Sequence, residues 1–300
     1  MPNGPSVLVT GGSGYLGRHL ATALLAAGAR VRLVTRGAGP VPAGAEHWPA
    51  DLAASNNLEG AFDGIDVLAH LAASLNGPAA QLERNNVEAS RRLLRAMART
   101  RTRRIVLASS LSVYDWSRID AVLSEESPTL DACATTPQAD AYARTKMAQE
   151  RLTRELARAH GWTLTILRPA AIWGADAWAE FMIGKRWGGL QAVFAPRAPA
   201  RLVYLPNAVD AFVKAVHRQE GDELILNLVD EAAVTNWQYA RMVRKRRGGV
   251  LILVPYAVGL LAARVAAKRT VFETLHKPAR CPNTRLRAAL GWAPAYAPWS

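Results

Sequence analysis

The sequence predicts an α/β protein: a doubly wound parallel sheet with a smaller C-terminal α/β lobe. Strand-like apolar runs alternate with helix-length segments through the first half, which is the pattern of βαβ units. The runs Ile105-Val106-Leu107-Ala108 and Leu164-Thr165-Ile166-Leu167 are near-continuously apolar, as parallel strands covered on both faces must be. A chain of 300 residues is long enough for one large domain or a domain plus a lobe.

The elements follow in order. Ser6-Val7-Leu8-Val9-Thr10 is a short strand that ends in a glycine cluster. A helical pattern covers about residues 15–28, and Val31, Leu33 and Val34 mark a second strand. Further strands are expected over 66–70, 104–110 and 163–167, with helices over 78–100 and 138–160. Beyond Arg168 the pattern loosens, and Gly, Pro and Trp become frequent over residues 170–206. Residues 1–168 therefore read as the first domain and 169–300 as the lobe, with the chain free to cross back. Residues 248–263 carry no charge, and basic clusters flank them: Arg244-Lys245-Arg246-Arg247 before, Arg264, Lys268 and Arg269 after. A spanning helix needs ~20 apolar residues, and Pro255 and Gly259 interrupt this stretch. It reads as a buried strand or helix, or else as an apolar wall or membrane-surface contact.

Half the residues are apolar and a fifth are charged, which excludes a disordered chain, a collagen-like fibre and a simple coiled coil. Two cysteines, Cys133 and Cys281, cannot build a disulfide framework or a cysteine-rich zinc site, and the histidines lack ligand spacing. No metal is expected. The N-terminus has no basic region followed by an apolar one, so a cytoplasmic protein is expected. The balance of 37 basic and 24 acidic residues gives +13, and most of the cations are Arg. Such a surface attracts nucleic acid, anionic lipid or an acidic carrier protein. An Arg-rich genome composition would give the same balance. With no zinc finger, RNA-binding signature or separate basic tail, nucleic acid is not expected as a partner.

Thr10-Gly11-Gly12-Ser13-Gly14-Tyr15-Leu16-Gly17 lies between the first strand and the first helix. Gly11 and Gly14 permit a tight turn and close backbone approach, and Gly17 lets helix and strand pack closely. The helix N-terminus then offers free N–H groups to a pyrophosphate, which makes this a Rossmann-type dinucleotide site. The second strand ends in Val34-Thr35-Arg36-Gly37, without the acid that would hold a ribose 2′-hydroxyl. Arg36 favours a 2′-phosphate, hence NADP(H) over NAD(H), unless it is merely a solvated loop charge. Asp51-Leu52 would sit at the next strand end, within reach of the adenine amino group.

Tyr142 and Lys146 lie four apart on a predicted helix and share a face. A nearby ammonium lowers a phenol from about 10, making Tyr142 a usable acid/base. Upstream, the strand 105–108 runs into Ser109-Ser110-Leu111-Ser112-Val113-Tyr114, where a hydroxyl faces the ligand crevice.

On these residues the chain resembles the extended short-chain dehydrogenase/reductase superfamily, in particular the NAD(P)-dependent epimerase/dehydratase group. Other segments carry the same resemblance: His70-Leu71-Ala72-Ala73, Asn86-Val87, Leu167-Arg168-Pro169-Ala170, and the ending Leu290-Gly291-Trp292-Ala293-Pro294. The resemblance implies Tyr142 as general acid/base and Lys146 on the nicotinamide ribose, tuning Tyr142. It implies Ser110, four residues before Tyr114, as the substrate-polarising hydroxyl, with Ser112 as the alternative. Leu71, Ala72, Ala73 and Pro169 would line the nicotinamide. His70 reads as a packing residue and Asn86 as a brace. Trp173 and Trp178 follow the Arg-Pro segment and would either pack or stack on substrate. Nothing beside Cys133 argues for a nucleophile. Relatives pair through a four-helix face, so a homodimer is expected.

The family's sugar-nucleotide dehydratases place an Asp-Glu pair where Leu111 and Ser112 stand here, so water elimination is not expected. Val203-Tyr204-Leu205-Pro206-Asn207-Ala208-Val209-Asp210-Ala211 resembles a segment of the sterol and hydroxysteroid dehydrogenase branch, with Pro206 in place of Asp. The favoured reading is a reductase acting between NADP(H) and a ketone or secondary alcohol on an apolar or carrier-linked small molecule. A membrane surface or acidic carrier remains compatible as a further partner. Arg197 and Arg201 could instead hold a nucleotide diphosphate, as in an epimerase with bound NAD. A non-catalytic NADP sensor is the third reading.

Overall fold

The structure, a computed structural model, describes residues 4–37, 41–55, 57–130, 140–219, 221–231 and 234–296. The chain begins β1 (Ser6–Thr10), α1 (Tyr15–Ala26), β2 (Arg30–Thr35), β3 (Glu46–Pro49) and β4 (Val67–His70). A short helix α2 (Ala79–Leu82) continues through a π-helical segment, Glu83–Glu88, into α3 (Ala89–Ala98). Then come β5 (Arg104–Ala108), α4 (Ala141–His160), β6 (Thr163–Pro169) and β7 (Ala171–Trp173). Next come β8 (Arg186–Trp187), β9 (Leu190–Phe194), β10 (Leu202–Tyr204), α5 (Leu205–His217), β11 (Leu224–Leu228) and α6 (Asn236–Arg247). The chain closes with β12 (Val250–Val254), α7 (Tyr256–Val265), α8 (Arg269–His276) and α9 (Thr284–Leu290).

Among the described residues the main sheet has seven parallel strands in the order β11-β6-β5-β4-β1-β2-β3. This is the doubly wound arrangement, reversing direction between β1 and β4. Both faces are covered, so β1 and β4 are buried at every position. One apolar core joins α1 and α5 to one face; the other joins α3 and α4 to the opposite face. The main sheet is not confined to residues 1–168. β11 returns to pair with β6 over Leu224–Leu228, and α5 packs on α1. The lobe keeps a two-stranded pair, β10-β7, and a three-stranded sheet, β12-β9-β8.

Local chemistry explains the ends of the elements that carry the site. Asp140 caps α4, its Oδ1 accepting the Tyr142 N–H at 3.2 Å, and Gly161 (φ 63°) ends the helix in the left-handed region. The expected single helix over 78–100 is interrupted because Asn86 braces the structure. Its Nδ2 donates to Ser74 O and Thr145 Oγ1, and its Oδ1 accepts the Ser74 N–H, tying the π-helical segment to α4. The stretch 248–263, read as a buried element or else as an apolar wall or membrane-surface contact, forms β12 and most of α7 and stays largely exposed; within it only Gly259 and Ala263 are buried.

Gly11 has φ 71°, a conformation that favours glycine. A methyl on Gly17 would overlap the carbonyl oxygen of Gly11, which is rigid backbone. Gly17→Ala should therefore cost about 1–3 kcal/mol of stability by overpacking. Urea unfolding measures this, and an unchanged midpoint would contradict the close helix–strand contact.

Candidate active site

The sheet reversal between β1 and β4 opens a cleft at their carboxyl ends, with a cavity of about 240 Å³. Of the residues singled out from the sequence, Gly11, Ser13, Gly14, Arg36, Asp51, Leu52, Leu71, Ala72 and Ala73 line it. Gly14 is the N-cap of α1 and supplies no side-chain cap, so the first-turn N–H groups remain available to an anion. No acid occupies that turn. The cradle thus fits a dinucleotide pyrophosphate. Arg36 is exposed at the end of β2 and forms no ion pair among the described residues. Asp51 Oδ1 accepts the Ala53 N–H at 3.0 Å and fixes the turn after β3.

Other named residues lie behind the cleft wall. Leu16 packs on the core, and Gly17 is buried against Gly11. Tyr15 reaches towards Gly174 with its hydroxyl, while Arg18 stacks on its ring. Pro169 is buried at the end of β6. Thr35, Ser74 and Asn85 line the cleft but were not foreseen. Thr35 directly precedes Arg36, a signal that could have found it.

Ser110, Tyr142 and Lys146 come together beside this cleft. Ser110 opens the turn 111–113, its Oγ accepting the Ser112 N–H at 3.1 Å, and its side chain hydrogen-bonds the Tyr142 phenol. Lys146 is buried, and its Nζ donates to Ala108 O and Gln149 Oε1 at 2.5 Å each. An ammonium has three donors, so one remains for a ribose hydroxyl. Gln149 follows Lys146 by three residues on the same helix, which is the signal for this missed partner. Burial pushes the Lys146 ammonium down to about 7, against the opposing pull of Glu150.

The expected lowering of the Tyr142 phenol does not occur. Burial pushes it up to about 12; the Ser110 hydrogen bond lowers it, and the Asp140 carboxylate raises it further. The phenol is therefore protonated at neutral pH. Ser112 Oγ is buried without a partner among the described residues.

Beneath the cleft, polar side chains brace the reversal of the sheet. His70 Nδ1 meets Thr10 Oγ1 at 2.7 Å across β4 and β1, and its Nε2 meets Ser90 Oγ at 2.8 Å. Gln149 Nε2 donates to the same Ser90 oxygen at 2.7 Å. Burial, reinforced by Lys146, pushes His70 down to about 3, so it stays neutral and serves as a brace.

On the lobe side, Trp173 is buried and packs against Trp178, Tyr204 and Tyr239. Arg197 is exposed, whereas Arg201 is buried with its guanidinium 3.8 Å above the Trp116 ring. Arg201 Nη2 donates to Thr274 O at 2.8 Å, and Nη1 has no partner among the described residues. Burial pushes Arg201 down to about 10. Cys281 is a buried free thiol pushed up to about 12 by burial, and Cys133 lies outside the described residues. Among the described residues no cluster of His, Cys, Asp or Glu could hold a metal, and no helix is long and apolar enough to cross a membrane.

Fold and site together define an NAD(P)-dependent oxidoreductase or epimerase of the extended short-chain type. The NAD dependent epimerase/dehydratase family profile matches residues 7–186, and the chain belongs to that family. It is 31% identical over 307 residues to a 4-hydroxy-2-methyl-3-oxo-4-farnesyl-3,4-dihydroquinoline-1-oxide ketoreductase of Stigmatella aurantiaca, covering 94% of this chain and 85% of that protein. It is 31% identical over 224 residues to a Mycobacterium tuberculosis 3 beta-hydroxysteroid dehydrogenase/Delta 5-->4-isomerase (70% of this chain, 59% of that one). A UDP-glucose 4-epimerase of Azospirillum brasilense is 31% identical over 183 residues, 57% of this chain and 50% of that one. The chain thus spans between half and three-fifths of the length of the last two. Among solved structures, MoeE5 in complex with UDP-glucuronic acid and NAD superposes with a TM-score of 0.75 at 22% identity, covering 97% of this chain and 94% of that one. The Bacillus cereus UDP-glucuronic acid 4-epimerase in complex with NAD gives 0.74 at 18%, with the same coverage. At these identities the structures establish the shared fold.

The Lys146 shift has a testable sign. Below about pH 7 the ammonium keeps its charge and its three donors; above it the neutral amine has no charge and only two donors, so none is left over for a ribose hydroxyl once Ala108 O and Gln149 Oε1 are served. NADPH affinity, followed by fluorescence titration, should hold steady below about pH 7 and weaken severalfold per unit above it. Lys146→Met should flatten the profile. A flat profile in the native protein would contradict the shift.

Proposed function

We propose that the chain is an NADP(H)-dependent reductase that converts a ketone on an apolar or carrier-linked small molecule to the secondary alcohol. One observation carries this reading: the Tyr142 phenol, hydrogen-bonded to Ser110, holds its proton at neutral pH. Reduction requires an acid in that state, whereas oxidation requires the phenolate. Bound reduced nicotinamide supplies the hydride to the carbonyl carbon. Ser110 polarises the carbonyl oxygen, Tyr142 gives that oxygen its proton, and Lys146 holds the nicotinamide ribose. The phenolate left behind regains its proton from solvent.

Two further features support the reading. Arg36 at the cleft edge suits a 2′-phosphate, since a guanidinium binds phosphate with paired donors. The relative matched over 94% of the chain is named for a ketoreductase whose substrate carries a 3-oxo group and a farnesyl chain. The unpartnered Arg201 Nη1 favours a second reading, an epimerase whose substrate brings an anion to that guanidinium.

Released dinucleotide separates the two readings. Denaturing the purified protein and identifying any dinucleotide by mass spectrometry should find little NAD⁺, and titration should show tighter binding of NADPH than of NADH. Tightly retained NAD⁺ would favour the epimerase, and binding of neither would remove the enzymatic reading. Arg36→Asp should shift preference towards NADH. Tyr142→Phe should cut turnover by about 10²–10⁴-fold, the usual worth of general acid catalysis, while leaving dinucleotide binding within a few-fold. Turnover retained in Tyr142→Phe would remove the residue from its role.

A further inference from the structure

A second surface lies outside the chemistry above. α7 buries Gly259 and Ala263, with Gly259 against Phe272 and Phe194. Its other side presents Val258, Leu261 and Val265, which are 57%, 63% and 85% exposed. Their spacing of three and four places them on one helical stripe. β12 leads into this helix through Pro255 and leaves Val250 and Ile252 exposed, while Trp187 is exposed on β8 of the same sheet. A monomeric soluble protein seldom leaves so many large apolar side chains together in water.

The charge around the stripe is one-sided. Between residues 232 and 272 the sequence carries eight Arg or Lys and no carboxylate. The neighbouring acids Glu180 and Glu273 are already paired with Arg247 and Arg269. Arg244, Lys245, Arg264 and Lys268 are exposed and form no ion pair among the described residues.

We propose that the β12–α7 face docks on an anionic lipid bilayer, with Val258, Leu261 and Val265 entering the acyl boundary and the flanking Arg and Lys side chains resting among the headgroups. Long basic side chains lay their aliphatic stems on an apolar surface and keep their charge outward, which matches the layering of a bilayer interface. Each basic residue near an anionic leaflet adds attraction that fades within a Debye length. A second copy of this face would set Arg244, Lys245, Arg264 and Lys268 against the same four cations, so charge opposes self-pairing. An acidic protein would match the cations but need its own apolar groove for a stripe spread over a strand and a helix. The proposal stands independently of the substrate reading, because none of these side chains belongs to the cleft.

The test is co-sedimentation of the intact protein with vesicles of phosphatidylcholine alone and of phosphatidylcholine with about 30% phosphatidylglycerol. The expected result is at least roughly tenfold tighter binding to the anionic vesicles, weakened by ~0.5 M NaCl. The double variant Leu261→Glu/Val265→Glu should lose roughly tenfold or more of that binding, and Arg244→Glu/Lys245→Glu should abolish the preference for anionic lipid. All four side chains are exposed, so melting temperature and NADPH affinity should stay unchanged in both variants. Failure to bind anionic vesicles, equal binding to both compositions, or unaltered binding by Leu261→Glu/Val265→Glu would overturn the proposal. A native dimer that dissociates in Leu261→Glu/Val265→Glu would also overturn it, assigning the face to a second copy.

Discussion

The carboxylate of Glu150 and the guanidinium of Arg168 meet as a fully buried ion pair, and the geometry of the site depends on that meeting. Glu150 lies one helical turn beyond Lys146 on α4, and Arg168 is near the end of β6. Glu150 Oε2 also accepts the Ser109 hydroxyl at 2.7 Å, one residue before Ser110. Arg168 Nη1 donates to Tyr114 Oη at 2.8 Å, and that hydroxyl donates to Asn227 Oδ1 on β11 at 2.7 Å. One charge pair therefore fastens the helix that carries Tyr142 and Lys146 to the loop that carries Ser110, and both to two strands. Removing one partner of such a pair leaves an uncompensated buried charge, which is far costlier than losing a surface salt bridge.

Around that clamp the site is built to control protons. Lys146, Tyr142 and His70 are each shifted by burial, and in each case towards the neutral form. The free site therefore holds little charge at neutral pH beyond a fraction of the Lys146 ammonium. The net charge of +13 lies elsewhere, including the cleft edge at Arg36 and the rim of the β12–α7 face. Attraction of anionic partners and neutrality of the reacting groups are thus separated in space.

Much of this was legible in the sequence because periodicity and special backbone positions leave local marks. The glycine run from Gly11 to Gly17 and the four-residue spacing of Tyr142 and Lys146 are of that kind. β3 is marked in the sequence only by its end, before Asp51-Leu52, because Glu46–Pro49 is short and half exposed, with no alternation to give its extent. Leu224–Leu228 falls in the range read as the lobe, and its place in the main sheet beside β6 is not legible locally, since strand order is a long-range property. The direction of the Tyr142 shift is not legible in the sequence, because four-residue spacing puts two side chains on one face but does not report the burial that dominates the phenol. Hydrophobicity likewise marks 248–263 as apolar without saying whether anything covers it.

The most direct test of the clamp is a double-mutant cycle over Glu150→Gln, Arg168→Leu and their combination, read by urea unfolding and by turnover. Each single change should cost about 3–5 kcal/mol, and the double variant should cost clearly less than their sum, because it leaves no lone buried charge. Turnover should fall in all three, since the helix bearing Tyr142 would lose its tie to the Ser110 loop. Small, additive stability losses with turnover intact would contradict the claim that this ion pair holds the site together.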